Sequence, residues 1–403
     1  MRPQNKRRKK KNFKPLGLLM LITVYGSWAM LRPLPLLQPS PATKEFAVTA
    51  PSSKLTWPVI GQSAVAIAGE SVFETHGSQS AAPIASTAKV ITALTVLDKK
   101  PLKNGEQGPT VTITEADVVA YYAQTANDGS VLPVVVGETL SEYQMLQALM
   151  LPSANNIADK LAYWAFGSQA AYNTAATAYV SKHDMTNTTI GEDASGLSPT
   201  TTSTAADLAK LGVLAMKNPV LSEIVAQPSA TGIPQTTSIK NVNSLLGTSN
   251  IVGVKTGNTE QAGGVFISAS KIAINDRPKT IVTAVVGSPN LFSALSDSLA
   301  LVRSAQSNFS PVEIIRKGDI VGRYHQPWGD SLAAVSDKTV TDTVWNGSKA
   351  SATVRLKPFS VTDKSVRSVG YIQKNSSSIV SNDIRLSRGS TEPSLIWRLT
   401  HPF

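Results

Sequence analysis

The stretch "IASTAKVITALTVLD", Ile84 to Asp98, decides how the chain is read. After Ser86 the apolar residues Val90, Leu94 and Leu97 recur at helical spacing, so Ser86 and Lys89 lie one turn apart on one helix face, where they can touch. The spacing alone is weak, because Ser268 and Lys271 repeat it. That second pair lies in "GGVFISASK", which alternates like a strand, so residues three apart point to opposite faces of a sheet.

Outward from this helix, the chain divides by pattern. Before it, "SAVAIAG" and "SVFETHG" read as a hairpin turning at Gly69 and Glu70. After it, residues 111–240 are mostly helical in pattern, with Ser203 as a helix cap. Strands resume in "NIVGVKTGN", "GGVFISASK" and "KTIVTAVVGS", and a helix from Leu291 to about Ser304 carries a stripe of Leu291, Leu295, Leu299 and Val302. Strands and helix, then helices, then strands and helix fit one antiparallel sheet built from both ends of the segment, flanked by helices and with a helical lobe beside it. This is an α/β (α+β) body over 57–307 with a cleft between lobes. From 308 to 403 short strands punctuated by Gly, Pro and Asn-Gly predict a small all-β domain.

The N-terminus reads differently. Residues 1–14 hold eight Lys or Arg and no acid, which accounts for most of the net charge of +11 and leaves the rest nearly balanced. Nucleic-acid binding is therefore not expected. Leu16 to Leu31 carry no charge, and the segment 15–31 reads as a membrane anchor with the remainder outside the cytoplasm; a cleaved signal peptide, giving a secreted protein, is the alternative. Residues 32–56, rich in Pro and Ser, read as a spacer. With no cysteine, disulfides, thiol catalysis and cysteine-held metals are excluded. His76, His183, His325 and His401 show no metal-ligand spacing, so neither a metal nor a cofactor is expected.

A serine hydroxyl needs a base to become a nucleophile, and with no local Ser/His/Asp grouping Lys89 is the candidate. An ordinary lysine is less than about a thousandth neutral at pH 7, so burial and neighbouring cations must lower its proton affinity. "LPSANNIADKLA" supplies Ser153 and Asn155, and "VGVKTGNT" supplies Lys255, Thr256, Gly257 and Asn258. Ser-x-x-Lys at the head of a helix, Ser-x-Asn in the helical lobe 67 residues on, and Lys-Thr-Gly on a strand 102 residues further make an ordered set.

In that order and context the three motifs resemble those of the penicillin-recognising serine enzymes, and more narrowly the D-alanyl-D-alanine carboxypeptidases, the low-molecular-mass penicillin-binding proteins. "MTNTTIGEDASGLSPTTTSTAADLAKL", "KTGNTEQAGGVFISAS" and "RKGDIVG" extend the resemblance over roughly residues 57 to 400. It implies that Ser86 attacks the carbonyl of a peptidoglycan stem peptide ending in D-Ala-D-Ala, and that Lys89 takes its proton. It further implies that Ser153 passes a proton to the leaving D-alanine, Asn155 holds Lys89 and the substrate amide, and Lys255 and Thr256 meet the terminal carboxylate. Gly257 leaves room for the peptide, Ser86 and Asn258 lend N–H groups to the oxyanion, and β-lactam antibiotics acylate the same serine.

Two rivals stay open. A β-lactamase of the same fold needs a deacylating acid, for which Glu192 stands in the right interval but in a loop that reads as solvated. A non-catalytic, membrane-tethered binder of cell-wall peptide would not need the nucleophile.

Overall fold

A computed structural model describes residues 14–363, 368–376 and 380–401. The basic run 1–13 lies outside them. The described chain forms two compact units, Ser52–Phe309 and a second made of Met1–Pro51 with Ser310–Phe403.

The larger unit is built on a five-stranded antiparallel sheet in the order Ile251–Thr259, Gly263–Ile274, Arg277–Ser288, Gln62–Ile67, Phe73–His76. The order matches the expected assembly from both ends of the segment, with the hairpin turn at Gly69 in the left-handed region at φ +81°. Gln62–Ile67 is buried along its whole length, as a strand covered on both faces must be. Ile267, Ala269, Val282 and Ala284 share one face and belong to the main core. On that face Gly212 of helix Ala205–Lys217 approaches Val282 and Ile267 so closely that a Cβ would fall 2.6 Å and 2.7 Å from their methyl carbons.

Helix Leu291–Gln306 packs on the last two long strands. Its buried seam is Ala294, Ser298, Leu301, Val302 and Ala305 rather than the predicted leucine stripe; Leu291, Leu295 and Leu299 flank it, half-buried. Small residues let this helix sit close to the sheet, and the hydrophobic stripe missed them. The helical lobe comprises Glu115–Ala126, Glu142–Met150, Asn155–Phe166 and Gln169–Lys182. The cap of the helix after it is Thr204, not Ser203: the Thr204 hydroxyl accepts the Asp207 N–H at 3.1 Å.

The smaller unit holds a seven-stranded sheet, largely as the β domain was predicted, with one correction. Residues 32–56 are not a spacer. Thr43–Thr49 pairs with Lys349–Leu356 as an edge strand, and Pro39–Ser40 pairs with Ile320–Tyr324. Beyond it, Lys54 and Thr56 already belong to the larger unit, their N–H groups bound by Asn308 Oδ1 and Ser304 Oγ.

The apolar N-terminal segment is a helix, Lys14–Leu31, about 27 Å long at about 1.5 Å per residue. Among the described residues no helix is long and apolar enough to cross a membrane. The C-terminal helix Leu395–Thr400 lies beside its end, where Tyr25 Oη donates to Leu399 O at 2.6 Å and Arg398 donates to Met30 O at 2.8 Å.

Candidate active site

The predicted residues come from three elements of the larger unit, with Lys89 bonded to Ser86 and Asn155 and the Gly257 backbone against the Ser86 turn. Ser86 sits in a short turn, Ala85–Thr87, that feeds helix Ala88–Lys99. The turn is tight: Thr87 N–H and Oγ1 both donate to Ile84 O, and Ala85 is held at φ +46°. Ser153 precedes helix Asn155–Phe166 at φ +69°. A non-glycine residue in this region costs on the order of 1–3 kcal/mol, and such strain gathers at functional sites. Around Ser153 the backbone is pinned by Ala154 N–H to Ala148 O at 3.0 Å and Asn155 N–H to Ser130 O at 2.8 Å.

Lys89 is the hub. Its Nζ lies 2.8 Å from Ser86 Oγ, 2.7 Å from Asn155 Oδ1 and 3.0 Å from Ser195 O. The last two can only accept. A neutral amine has two N–H bonds to give, and giving both to these acceptors leaves its lone pair for the Ser86 hydroxyl. The side chain is 0% exposed. Burial first, and the charge of Lys255 second, hold its proton affinity well below the ordinary lysine range, while Asp193 and Asp159 pull the other way. That is the environment a lysine base requires.

Lys255, Thr256, Gly257 and Asn258 lie on the edge strand Ile251–Thr259, which pairs on one side only. A Cβ on Gly257 would sit 3.0 Å from Ile84 O and 3.1 Å from Ser86 N, so the strand backbone passes directly against the serine turn. Lys255 is buried, and burial pushes its pKa down to about 7. Its Nζ donates to Thr256 O at 3.0 Å. Thr256 is buried and Asn258 exposed. Ser153 Oγ is buried and has no hydrogen-bond partner among the described residues.

The run from Asp193 to Leu197, legible in the sequence as part of the family resemblance, completes the hub through a contact with Lys89 that the sequence did not reveal. The Asp193 carboxylate accepts the N–H groups of Gly196, Leu197 and Ser198 at 2.8–3.0 Å and the Ser195 hydroxyl at 3.1 Å, a closed loop that aims Ser195 O at Lys89. Gly196, at φ +76°, lets it lie on the serine turn, since a Cβ there would fall 2.1 Å from Ala85 O. Glu192 next to it is exposed. The rival Ser268 is buried against Thr283 Oγ1 at 2.7 Å while Lys271 is exposed, as strand alternation requires. Among the described residues there is no cluster of potential metal ligands.

Comparison with known proteins places the chain in a family. The model of a family described as D-alanyl-D-alanine carboxypeptidase matches residues 52–289. A D-alanyl-D-alanine carboxypeptidase of Mycobacterium tuberculosis is 33% identical over 195 residues, 47% of this chain and 62% of that protein. A D-alanyl-D-alanine endopeptidase of Pseudomonas aeruginosa is 32% identical over 206 residues, 50% of this chain and 62% of that one. The chain thus spans less than two thirds of the length of these relatives. Among solved structures, the Streptomyces K15 DD-transpeptidase shares the fold, with TM-score 0.54 and 24% identity, over 64% of this chain and 100% of that one. The family match takes in all three motifs and more than half of the residues, and the chain belongs to the D-alanyl-D-alanine carboxypeptidase family.

Proposed function

We propose that the protein is a serine-type D-Ala-D-Ala carboxypeptidase that trims peptidoglycan stem peptides and is acylated by penicillins. The observation that carries this is Lys89 Nζ at 2.8 Å from Ser86 Oγ with Asn155 Oδ1 and Ser195 O as its other two partners, so that a neutral amine giving its two N–H bonds to those acceptors keeps its lone pair for the serine hydroxyl. Ser86 adds to the carbonyl of the terminal peptide bond as Lys89 takes its proton. The N–H groups of Ser86 and Asn258 receive the oxyanion, the kind of preformed donor pair that typically supplies the largest single term. The C–N bond breaks as Ser153 delivers a proton to the departing D-alanine nitrogen, and water then releases the acyl group. Lys255 and Thr256 meet the free carboxylate of the substrate. The unpaired strand edge, with no side chain at Gly257, accommodates an extended peptide by strand addition.

The apolar helix Lys14–Leu31, preceded by a basic run and exposing Leu18, Leu19, Met20 and Leu21, supports a place outside the cytoplasm with this helix as membrane anchor or export segment. D-alanine release from a diacetyl-lysyl-D-alanyl-D-alanine peptide, with Ser86→Ala beside the wild type, tests the central reading. Release that disappears in the variant supports it, and a folded wild type that neither releases D-alanine nor binds penicillin refutes it. Steady turnover of the antibiotic would favour a β-lactamase instead.

A further inference from the structure

A buried hydroxyl one turn beyond Lys89 takes no part in the chemistry above. Thr92 follows Lys89 by three residues on helix Ala88–Lys99, so the two share a face, and both are fully buried. A threonine inside a helix ordinarily returns its hydroxyl to the carbonyl four residues back. Here that carbonyl, Ala88 O, lies at 3.5 Å, while Ala194 O lies at 2.6 Å. The hydroxyl therefore leaves its own helix for the loop that touches Lys89. Its other neighbour is the buried Tyr172 hydroxyl at 2.7 Å, from helix Gln169–Lys182. A carbonyl can only accept, and the single hydrogen of Thr92 goes to Ala194 O, so Tyr172 must donate to Thr92 Oγ1. Burial pushes the pKa of the phenol up, which keeps that proton in place.

We propose that Thr92, oriented by Tyr172, is a positioning residue for the Lys89 amine: it holds the Ala194 carbonyl so that the next one, Ser195 O, stands where Lys89 gives one of its N–H bonds. The inference rests on the serine–lysine reading and deepens it. One helix face grips two successive carbonyls of the loop, Thr92 Oγ1 donating to Ala194 O at 2.6 Å and Lys89 Nζ to Ser195 O at 3.0 Å. Peptide units are planar, so with the first fixed the second turns only about φ and ψ of Ser195. The bonds to Asp193, from the Ser195 hydroxyl at 3.1 Å and the Gly196 N–H at 2.8 Å, are internal to the loop. They set its shape, whereas the Thr92 bond ties it to the helix that carries Lys89. Without that tie the Ser195 carbonyl can drift, and an amine with only one fixed acceptor no longer keeps its lone pair on Ser86. Thr95 supplies a comparison on the same helix: its hydroxyl is also buried but has no partner among the described residues.

The test is acylation of the full chain by a fluorescent penicillin over a range of concentrations, which separates the saturating rate constant from the half-saturating concentration. Thr92→Val keeps the shape and removes the hydroxyl; the saturating rate constant falls about tenfold, the effect of one lost hydrogen bond on a positioned group, with the half-saturating concentration nearly unchanged. Thr92→Ser keeps the hydroxyl and restores the rate to within about twofold. Tyr172→Phe lowers the rate about threefold, and in the double variant Thr92→Val with Tyr172→Phe the rate is no lower than in Thr92→Val alone, because the phenol acts only through Thr92. Thr95→Val leaves the rate unchanged. A purely packing role for Thr92 predicts the opposite ranking, with serine, which leaves a methyl-sized gap, worse than valine. An undiminished rate in Thr92→Val or in Tyr172→Phe, or an equal fall in Thr95→Val, overturns the proposal alone; should Thr92→Val not fold, Tyr172→Phe carries the test. Absence of Ser86-dependent labelling in the wild type overturns the serine–lysine reading, and this inference with it.

Discussion

Lys255 offers the sharpest test of how the site uses burial. Its pKa is pushed from the ordinary 10.5 to about 7 by burial, and the terminal carboxylate of substrate is its proposed partner. At pH 6 about ten in eleven molecules carry the charge in the free enzyme, and at pH 8 about one in eleven. The rate constant kcat/KM reports the free enzyme, so it should fall about tenfold between pH 6 and pH 8 for a peptide with a free carboxylate. Bound substrate reverses the balance by favouring the ammonium, so the same limb in kcat should lie at higher pH.

Two comparisons isolate the cause. In Lys255→Arg the charge persists through the whole range, and the alkaline limb should disappear even where the bulkier side chain lowers the absolute rate. With a substrate analogue whose terminal carboxylate is capped as an ester, the wild type should lose most of its alkaline limb, since no anion remains to be recognised. The assay is initial-rate D-alanine or capped-product release from pH 5.5 to 9. An alkaline limb near pH 7 that survives both the arginine substitution and the capped analogue would refute the assignment of Lys255 as the carboxylate partner.

Two further outcomes are expected. In Gly196→Ala the left-handed φ alone costs about 1–2 kcal/mol, and the new Cβ collides with the Ala85 carbonyl, so the loop must leave the serine turn; penicillin acylation should slow by at least about tenfold while the circular dichroism spectrum stays unchanged, and an undiminished rate would mean that the loop does not position Lys89. Glu142 is buried with no hydrogen-bond partner for either carboxylate oxygen among the described residues, and burial raises its pKa from the ordinary 4.5 to about 7 against the opposing charge of Lys100. Between those values the folded state binds more protons than the unfolded one, so stability falls as pH rises through this window. Glu142→Gln should therefore be more stable than wild type at pH 8, by up to about 3 kcal/mol, and little different at pH 4.5, as read from urea midpoints; equal midpoints at pH 8 would remove Glu142 as a source of pH sensitivity.

What the sequence disclosed and what it hid follow one physical division. Ser86 and Lys89 were legible because a one-turn helical spacing is a local property, and Lys255 to Asn258 because a strand presents its residues in order. That both ends of the segment meet in one sheet was legible too, since strand-forming runs lie on either side of the helical block. The third partner of Lys89 was not, because it is a backbone carbonyl, and no residue type marks a carbonyl. Thr43–Thr49 was hidden by its prolines: Pro39, Pro41 and Pro51 bracket a strand whose partner lies 300 residues away, and proline at the margins of an edge strand breaks no ladder. The features that sequence conceals here are those made by distant segments meeting. At this site the same features decide the chemistry, because a lysine becomes a base only when groups from helix, loop and strand enclose it, and a reading from local pattern alone identifies the nucleophile without showing what arms it.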